Sequence, residues 1–163
     1  MSHSHGFAAL ARVPGPVAVG VDLEWLAPRD FRSMARIAYS AAETEYLASL
    51  DDPDALRSAF YEFWTLKEAF AKALDLSLAD ALGQCHLVDS SGARRAKIPT
   101  ARQWRATVFA PRPQLRLAVV RTHEPAEPVS EIIETIEWPQ PGTQEWPVVL
   151  ELVSEDERAG RAW

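Results

Sequence analysis

Two acidic residues stand two positions apart in the stretch VGVDLE, at Asp22 and Glu24. If this stretch is a β-strand, residues two apart share a face, so both carboxylates point to one side while Val21 and Leu23 point to the other. Neighbouring carboxylates repel each other, and a bound cation makes their proximity favourable. Oxygen ligands suit a hard ion such as Mg²⁺. The alternative is a solvated strand face whose two acids do no chemistry.

A second group of charged residues lies in FWTLKEAFAK, residues 63–72. Trp64, Glu68 and Lys72 are spaced by four and form one ridge of a helix, with Lys67 beside it one turn on from Trp64. Glu68 could complete a metal site while the two lysines neutralise phosphate oxygens, a combination suited to phosphoryl-group chemistry. The alternative is an ordinary Glu-to-Lys pair on an exposed helix, worth about 0.2–0.5 kcal/mol.

The third candidate is His3, in the opening stretch SHSHG. A histidine among small polar residues, just before a strand, can donate a hydrogen bond to a phosphate. The alternative is an N-terminal segment with no ordered role.

The elements that must position these residues follow from the hydrophobic spacing, which predicts an α+β fold with the helices grouped in the middle of the chain. Strands are predicted at FAALARV, PVAVGVDLEWL, CHLVDS, WRATVFA and LRLAVVR. Helices are predicted at RDFRSMARIAY, at SAAETEYLASL and over the long run from Asp54 to Leu74. The second of these helices carries the capping-box pattern, with Ser40 followed three residues later by Glu43.

Charge divides the chain near Glu124. From that residue onward there are ten acidic and two basic residues, which leaves 15 basic and 13 acidic residues in positions 1–123. The same segment holds five of the twelve prolines and three tryptophans. We therefore expect one domain over residues 1–123 and an acidic, Pro- and Trp-containing extension over 124–163, in which PVVLELV could add an edge strand.

Composition excludes several classes of protein. A chain of 163 residues with 47% hydrophobic content is long enough for one globular domain. No apolar run approaches the ~18 residues that span a bilayer, and the N-terminus lacks the layout of a signal peptide, so we expect a cytoplasmic protein. The single cysteine, Cys85, cannot form an intramolecular disulfide and receives no role.

The three segments occur together in one order, and this set resembles the signature of the 4′-phosphopantetheinyl transferase superfamily, closest to the surfactin-synthetase-activating type. The family's motifs run roughly as Gly-x-Asp-x-Glu and Trp-x-x-Lys-Glu-(Ala/Ser)-x-x-Lys, and Ser-His-Ser precedes both. The resemblance covers residues 2–122. It implies a fold with an antiparallel sheet and a packed helical layer. The matching residues are His3, then Gly20, Asp22 and Glu24, then Trp64, Lys67, Glu68, Ala69 and Lys72.

The resemblance implies an enzyme that moves the 4′-phosphopantetheine arm of coenzyme A onto a serine of an apo acyl or peptidyl carrier protein. Asp22, Glu24 and Glu68 would hold Mg²⁺ on the coenzyme A diphosphate. Lys72 and Lys67 would offset charge on the phosphate oxygens, and Glu68 would take the proton of the serine.

The resemblance also implies three contacts with coenzyme A itself. His3 corresponds to a histidine that contacts its phosphate groups, and Lys72 meets the diphosphate. Trp64 either shapes the wall of the pocket or only packs.

Enzymes of this type usually contain two similar halves with coenzyme A between them, and this sequence resembles the C-terminal half. Three explanations stay open: the recorded start is wrong and a first half is encoded upstream, the chain pairs with itself in a homo-oligomer, or it is a remnant without activity. The competing class of function is therefore a non-catalytic relative that binds coenzyme A or a partner protein without transfer.

A carrier protein presents an acidic recognition helix, so its docking surface should be basic. Arg29, Arg32 and Arg36 are spaced as i, i+3 and i+7, which places them on one face of the first predicted helix. We expect this face to take part in docking, with a solvated polar face as the alternative. We expect no nucleic-acid or membrane partner.

Overall fold

A computed structural model of the chain describes residues 1–13, 15, 17–123 and 147–154. Two short strands open the chain, a longer strand follows, four helices come next, and three strands close the fold. In chain order the elements are β1 (Ser2–Ser4), β2 (Phe7–Ala9), β3 (Ala18–Trp25), α1 (Phe31–Ala38), α2 (Ala41–Ala48), α3 (Pro53–Leu74), α4 (Leu78–Gln84), β4 (Gln103–Phe109), β5 (Leu115–His123) and β6 (Val148–Val153).

Four strands form one antiparallel sheet in the order β3-β5-β4-β6. The helix α3 packs across β3 and β5 on one face of this sheet. The expected α+β fold, an antiparallel sheet with a packed helical layer, is confirmed. The stretch PVVLELV forms the edge strand that the sequence allowed: it supplies β6, which pairs with β4.

The long helix α3 forms the centre of the core. Its N-cap Asp52 accepts hydrogen bonds from the amides of Asp54 and Ala55, and Pro53 occupies the first turn, where its missing N–H costs nothing. Asp75 ends the helix in the left-handed conformation. Between these caps the helix buries a row of large apolar side chains, which are Leu56, Phe60, Phe63, Leu66 and Phe70.

The hairpin β1-β2 lies along the free edge of β3. Its two-residue turn is His5-Gly6, with φ values of 49° and 81°. Positive φ at both central residues defines a type I′ turn, the turn that matches the twist of paired strands. Beyond it, Phe7 packs with Val21, Leu23 and other apolar residues on the face of the sheet opposite α3. The hairpin therefore covers the second face while β1 borders the acidic pair.

Three predicted elements differ from the observed ones. The stretch FAALARV is a strand only over Phe7–Ala9, because the chain turns at His5-Gly6 and pairs with the additional strand β1. The stretch CHLVDS is not a strand: it makes one isolated bridge, His86 with Lys97. Its apolar residues fill the core from a loop. The short helix α4 just before it was not predicted.

The predicted domain boundary near Glu124 stays a prediction, because residues 124–146 and 155–163 lie outside the described residues. Of the predicted extension, residues 148–153 are part of the main sheet. Among the described residues, no helix combines the length and the apolar character needed to cross a membrane.

Candidate active site

The backbones of α3 and β3 meet directly at Gly20. A Cβ atom on this residue would overlap the carbonyl oxygen of Ala69 and lie 2.7 Å from the amide nitrogen of Ala73. Glycine is therefore required for the close approach of helix and strand. Asp22 and Glu24 follow on the same face of β3, so both carboxylates meet the side of α3.

Asp22 is almost fully buried, with 4% of its surface exposed. Its Oδ1 accepts hydrogen bonds from Lys72 Nζ at 2.7 Å and from Ser2 Oγ at 2.9 Å. Lys72 also donates to the carbonyl oxygen of Val21 at 3.2 Å. Asp22 Oδ2 is buried and has no hydrogen-bond partner among the described residues. One oxygen of this carboxylate is thus fully satisfied while the other lacks a ligand.

Glu24 is half-buried beside Asp22. Burial is the main cause that raises the pKa of the Glu24 carboxyl, and the negative charges of Asp22 and Glu68 raise it further. Hydrogen bonds from Ser4 and Trp64 act in the opposite direction. The charged form of Glu24 is therefore destabilised unless a cation is near.

Glu68 reaches the same place from α3. Burial raises the pKa of the Glu68 carboxyl, the charge of Asp22 raises it further, and Lys72 lowers it. The structure thus brings two motifs together. Asp22 and Glu24 come from β3, and Glu68 and Lys72 come from α3.

Trp64 lies one turn before Glu68 on α3 and is half-buried. Its side chain lowers the pKa of the Glu24 carboxyl, against the raising effect of burial. Its ring stacks on Phe60, with the ring centroids 6.4 Å apart. Trp64 therefore packs on Phe60 and lies near enough to Glu24 to lower the pKa of that acid.

The donor set fits Mg²⁺. A carboxylate oxygen without a partner among the described residues favours a bound cation, as do two neighbouring carboxyls whose pKa values are raised by burial and further by like charge. Within the described residues no group of three His, Cys, Asp or Glu side chains is placed so that all three could hold one metal ion. Mg²⁺ usually binds one or two protein carboxylates and takes its other ligands from water and substrate phosphates, so an open acidic edge is the arrangement that it uses.

Lys67 is not part of this group. Its side chain is fully buried, and Nζ forms an ion pair with Glu43 Oε2 at 2.9 Å and a hydrogen bond to the carbonyl oxygen of Leu82 at 3.2 Å. The ammonium also lies 5.1 Å from the centroid of the Tyr39 ring. Burial lowers the pKa of Lys67, while Glu43 raises it. The structure places Lys67 in the core between α2, α3 and α4.

His3 is exposed on β1, between Ser2 and Ser4. Because side chains alternate along a strand and both serines face the carboxylates, His3 points the other way. The structure therefore does not bring His3 into contact with the acidic pair, and its predicted contact with a coenzyme A phosphate stays a prediction.

The predicted basic face on α1 holds only in part. The helix begins at Phe31 with Asp30 as its N-cap, so Arg29 lies before the helix and not on its face. Arg32 donates to the carbonyl oxygens of Ala48 and Leu50 at 3.0 and 3.1 Å and so caps the end of α2. Arg36 is exposed on the helix.

Sequence reasoning missed the individual roles of three residues. Ser2 and Ser4 contact the acids, and their only signal was the same two-residue spacing that Asp22 and Glu24 show. Glu43 was predicted as part of a capping box, which is present, but its ion pair with Lys67 depends on how α2 packs on α3.

The chain belongs to the 4′-phosphopantetheinyl transferase superfamily, whose family model matches residues 18–120. This range includes both acidic motifs and leaves His3 outside. Among curated proteins the chain is similar to 4′-phosphopantetheinyl transferase HetI of Nostoc sp. (strain PCC 7120 / SAG 25.82 / UTEX 2576), with 33% identity over 107 residues. The match covers 64% of this chain and 43% of that relative, so the chain spans less than half of the relative's length.

Proposed function

We propose that this chain transfers the 4′-phosphopantetheine arm of coenzyme A to a serine of an apo carrier protein, with Mg²⁺ as cofactor. The observation that carries the proposal is the juxtaposition of Asp22, Glu24 and Glu68 with Lys72, in which Asp22 Oδ2 has no hydrogen-bond partner in the part of the chain that the structure describes. The motif resemblance adds that the chain corresponds to the C-terminal half of a surfactin-synthetase-activating type.

The metal would be held by carboxylates among Asp22, Glu24 and Glu68, and water and coenzyme A phosphates would complete its ligands. Bound there, Mg²⁺ supplies charge neutralisation on the diphosphate. Asp22 is oriented for this role because Lys72 and Ser2 both occupy its Oδ1.

In the proposed reaction the serine oxygen forms a bond to the phosphorus that carries the pantetheine arm. The bond from that phosphorus to the bridging oxygen breaks, and adenosine 3′,5′-bisphosphate leaves. Glu68 accepts the serine proton, a task suited to a carboxylate whose pKa is raised by burial and by Asp22. Lys72, 35% exposed at its side chain, can offset charge on the non-bridging phosphate oxygens.

Lys67 takes no direct part in this proposal. Its ammonium is held by Glu43 and the carbonyl oxygen of Leu82, so contact with a phosphate would require breaking a fully buried ion pair. Its place in the motif is explained by packing.

The test is an arm-transfer assay. The protein is incubated with Mg²⁺, coenzyme A and several apo carrier proteins, and mass spectrometry measures the mass added to each carrier. We expect transfer by the native chain and none by Glu68→Gln, which keeps the shape of the side chain without its charge. Absence of transfer to every carrier, together with absence of coenzyme A binding in calorimetry, would refute the proposal.

One observation favours a second function: the match with this chain covers only 43% of the relative. A chain that supplies one wall of a site could bind coenzyme A or a partner protein without transferring the arm. Calorimetry that detects coenzyme A binding in the absence of transfer would select this function. Sedimentation velocity over a range of concentrations then tells whether a second copy supplies the other wall.

A further inference from the structure

A repeated pair of hydrogen bonds joins β1 to the edge of β3. Ser2 Oγ donates to Asp22 Oδ1 at 2.9 Å and accepts from the amide of Leu23 at 3.2 Å. Two residues on, Ser4 Oγ lies 3.4 Å from Glu24 Oε2 and accepts from the amide of Trp25 at 3.2 Å. The second unit repeats the first with every residue advanced by two.

These bonds occupy backbone groups that would otherwise lack a strand partner. On its other side β3 pairs with β5, and it is an edge strand of the four-stranded sheet. The amides of Leu23 and Trp25 point to the free edge, where the serine hydroxyls stand in for the carbonyl groups of a neighbouring strand. Each hydroxyl then uses its single proton for the carboxylate beside that amide.

We propose that Ser2 and Ser4 are positioning residues that fix the direction of the two β3 carboxylates. The inference rests on the proposed function for the use of these acids. A hydroxyl bound at once to a backbone amide and to a carboxylate ties the orientation of the acid to the strand itself. At Asp22 the result is specific: Ser2 and Lys72 both bind Oδ1, which leaves Oδ2 as the oxygen directed to a cation.

The two serine hydroxyls should hold their carboxylates with different strength. The Ser4 contact to Glu24 is at the long end for an O–H to carboxylate bond, and Ser4 Oγ also lies 3.3 Å from His5 Nδ1, which competes for the hydroxyl. Ser2 has a shorter bond to a more deeply buried acid. Loss of Ser2 should therefore have the larger effect.

The test compares Ser2→Ala, Ser4→Ala and the conservative Ser2→Thr with Ser90→Ala, a control at an exposed loop serine. Mn²⁺ serves as the probe for the metal, and electron paramagnetic resonance measures its binding without coenzyme A. Removal of a group that hydrogen-bonds to a metal ligand typically weakens metal binding by 10- to 100-fold. We therefore expect Ser2→Ala to lower the affinity for Mn²⁺ by about tenfold. Ser4→Ala should lose less, and Ser2→Thr and the control should bind as the native chain does.

Amide hydrogen exchange, followed by NMR, is the second measurement. Ser2→Ala should accelerate exchange at Leu23 by about fivefold and leave Trp25 unchanged, while Ser4→Ala should do the reverse. This paired pattern reports the hydroxyl contacts alone, so it separates them from a general loss of stability, which would accelerate both amides.

Unchanged exchange in both alanine variants would overturn the proposed contacts. Unchanged Mn²⁺ affinity in Ser2→Ala would overturn the positioning role, even if the variant is less stable. If the native chain takes up no Mn²⁺, the metal site of the proposed function fails and the positioning role fails with it. If Mn²⁺ binding follows the expected order but no carrier is modified, the positioning role stands and the transfer activity alone is refuted.

Discussion

At the scale of single residues, Asp22, Glu24 and Glu68 lie near enough to one another for their charges to interact. Burial and mutual repulsion raise the pKa values of Glu24 and Glu68, while Lys72 binds Asp22 Oδ1 and lowers the pKa of Glu68. One ammonium group cannot neutralise three carboxylates. The group therefore favours either a proton or a divalent cation, and the two should compete.

The stability of the metal-free protein should depend on pH through Glu68. A raised pKa means that the folded state binds the proton more tightly than the unfolded chain does. The stabilisation is fully present below the ordinary value of 4.5 and is lost as pH rises through the higher folded-state value. We therefore expect the free energy of unfolding of the native chain to fall over this window relative to Glu68→Gln.

Urea denaturation of both proteins at a series of pH values measures this difference. Asp30 and Asp89, whose pKa values are lowered by hydrogen bonds to neighbouring serines, have the opposite pH dependence but are present in both proteins. Addition of Mg²⁺ should reduce the fall in the native chain only. If the free energy of unfolding has the same pH dependence in both proteins, the pKa of Glu68 is not raised in the folded state.

At the scale of elements, the contact between α3 and β3 sets where the acids meet. Gly20→Ala should destabilise the fold by about 2 kcal/mol or more, because the added Cβ would overlap backbone atoms, which cannot rotate away. The matched control is Gly83→Ala, where an added Cβ meets nothing within 4 Å. Gly83 lies in α4, so alanine there should be neutral or stabilising.

Thermal or urea denaturation of the two glycine variants checks this prediction. A similar stability for both would mean that α3 and β3 are farther apart than the backbone contacts indicate. A selective loss for Gly20→Ala would show that the glycine of the first motif serves the approach of the helix and not the chemistry.

The buried ion pair between Glu43 and Lys67 joins α2 to α3, and it should matter for stability. Lys67→Met leaves the Glu43 carboxylate buried without its cation and should cost about 3–5 kcal/mol in the free energy of unfolding. Combining it with Glu43→Gln removes the uncompensated charge and should recover part of that loss. The exposed Lys97→Met provides a control.

Urea denaturation gives these values, and the double variant is the decisive one. If it is as unstable as Lys67→Met, then lost packing and not the unpaired charge explains the effect. A Lys67→Met variant of native stability would contradict the buried ion pair itself.

The sequence was informative where function depends on spacing within one element. Alternation along β3 predicted that Asp22 and Glu24 share a face, and the four-residue spacing predicted the ridge of Trp64, Glu68 and Lys72. The three-residue spacing from Trp64 also placed Lys67 beside this ridge, because helical geometry cannot show that α2 brings Glu43 to the other side. The packing of α2 against α3 therefore determines where the Lys67 side chain lies.

Elements with weak local signals were harder to predict. CHLVDS has the composition of a buried strand but lies in the core as a loop, since its backbone makes only one bridge. The seven-residue helix α4 is too short to show a clear period. The stretch PVVLELV was predicted as a possible edge strand and forms β6, although its partner β4 lies far away in the sequence.

At the scale of the whole molecule, the exposed surface of α1 is the candidate for docking a carrier protein. The solvent side of α1 carries Arg36 next to Ile37, which is 90% exposed. Exposed arginine beside an exposed large apolar residue is typical of a surface that binds an acidic partner with an apolar contact at its centre. Arg32 is less suitable for a test, since it caps α2.

Reversal of Arg36 therefore tests the proposed docking of a carrier protein more sharply than reversal of all three arginines. Arg36→Glu should weaken binding of an apo carrier by about fivefold, because it sets like charges against each other, and should leave coenzyme A binding unchanged. Ile37→Ser should also weaken it. Arg95→Glu, at an exposed arginine outside α1, is the matched control.

Calorimetric titration with the apo carrier measures these affinities directly, so the test does not depend on whether the chain transfers the arm by itself. The Arg36→Glu effect should shrink as salt is added, since exposed charges are screened within about 8 Å at physiological ionic strength. Equal affinities for Arg36→Glu and Arg95→Glu would place carrier docking elsewhere on the molecule. A loss in Ile37→Ser alone would identify the surface as apolar and make the charge of α1 incidental to it.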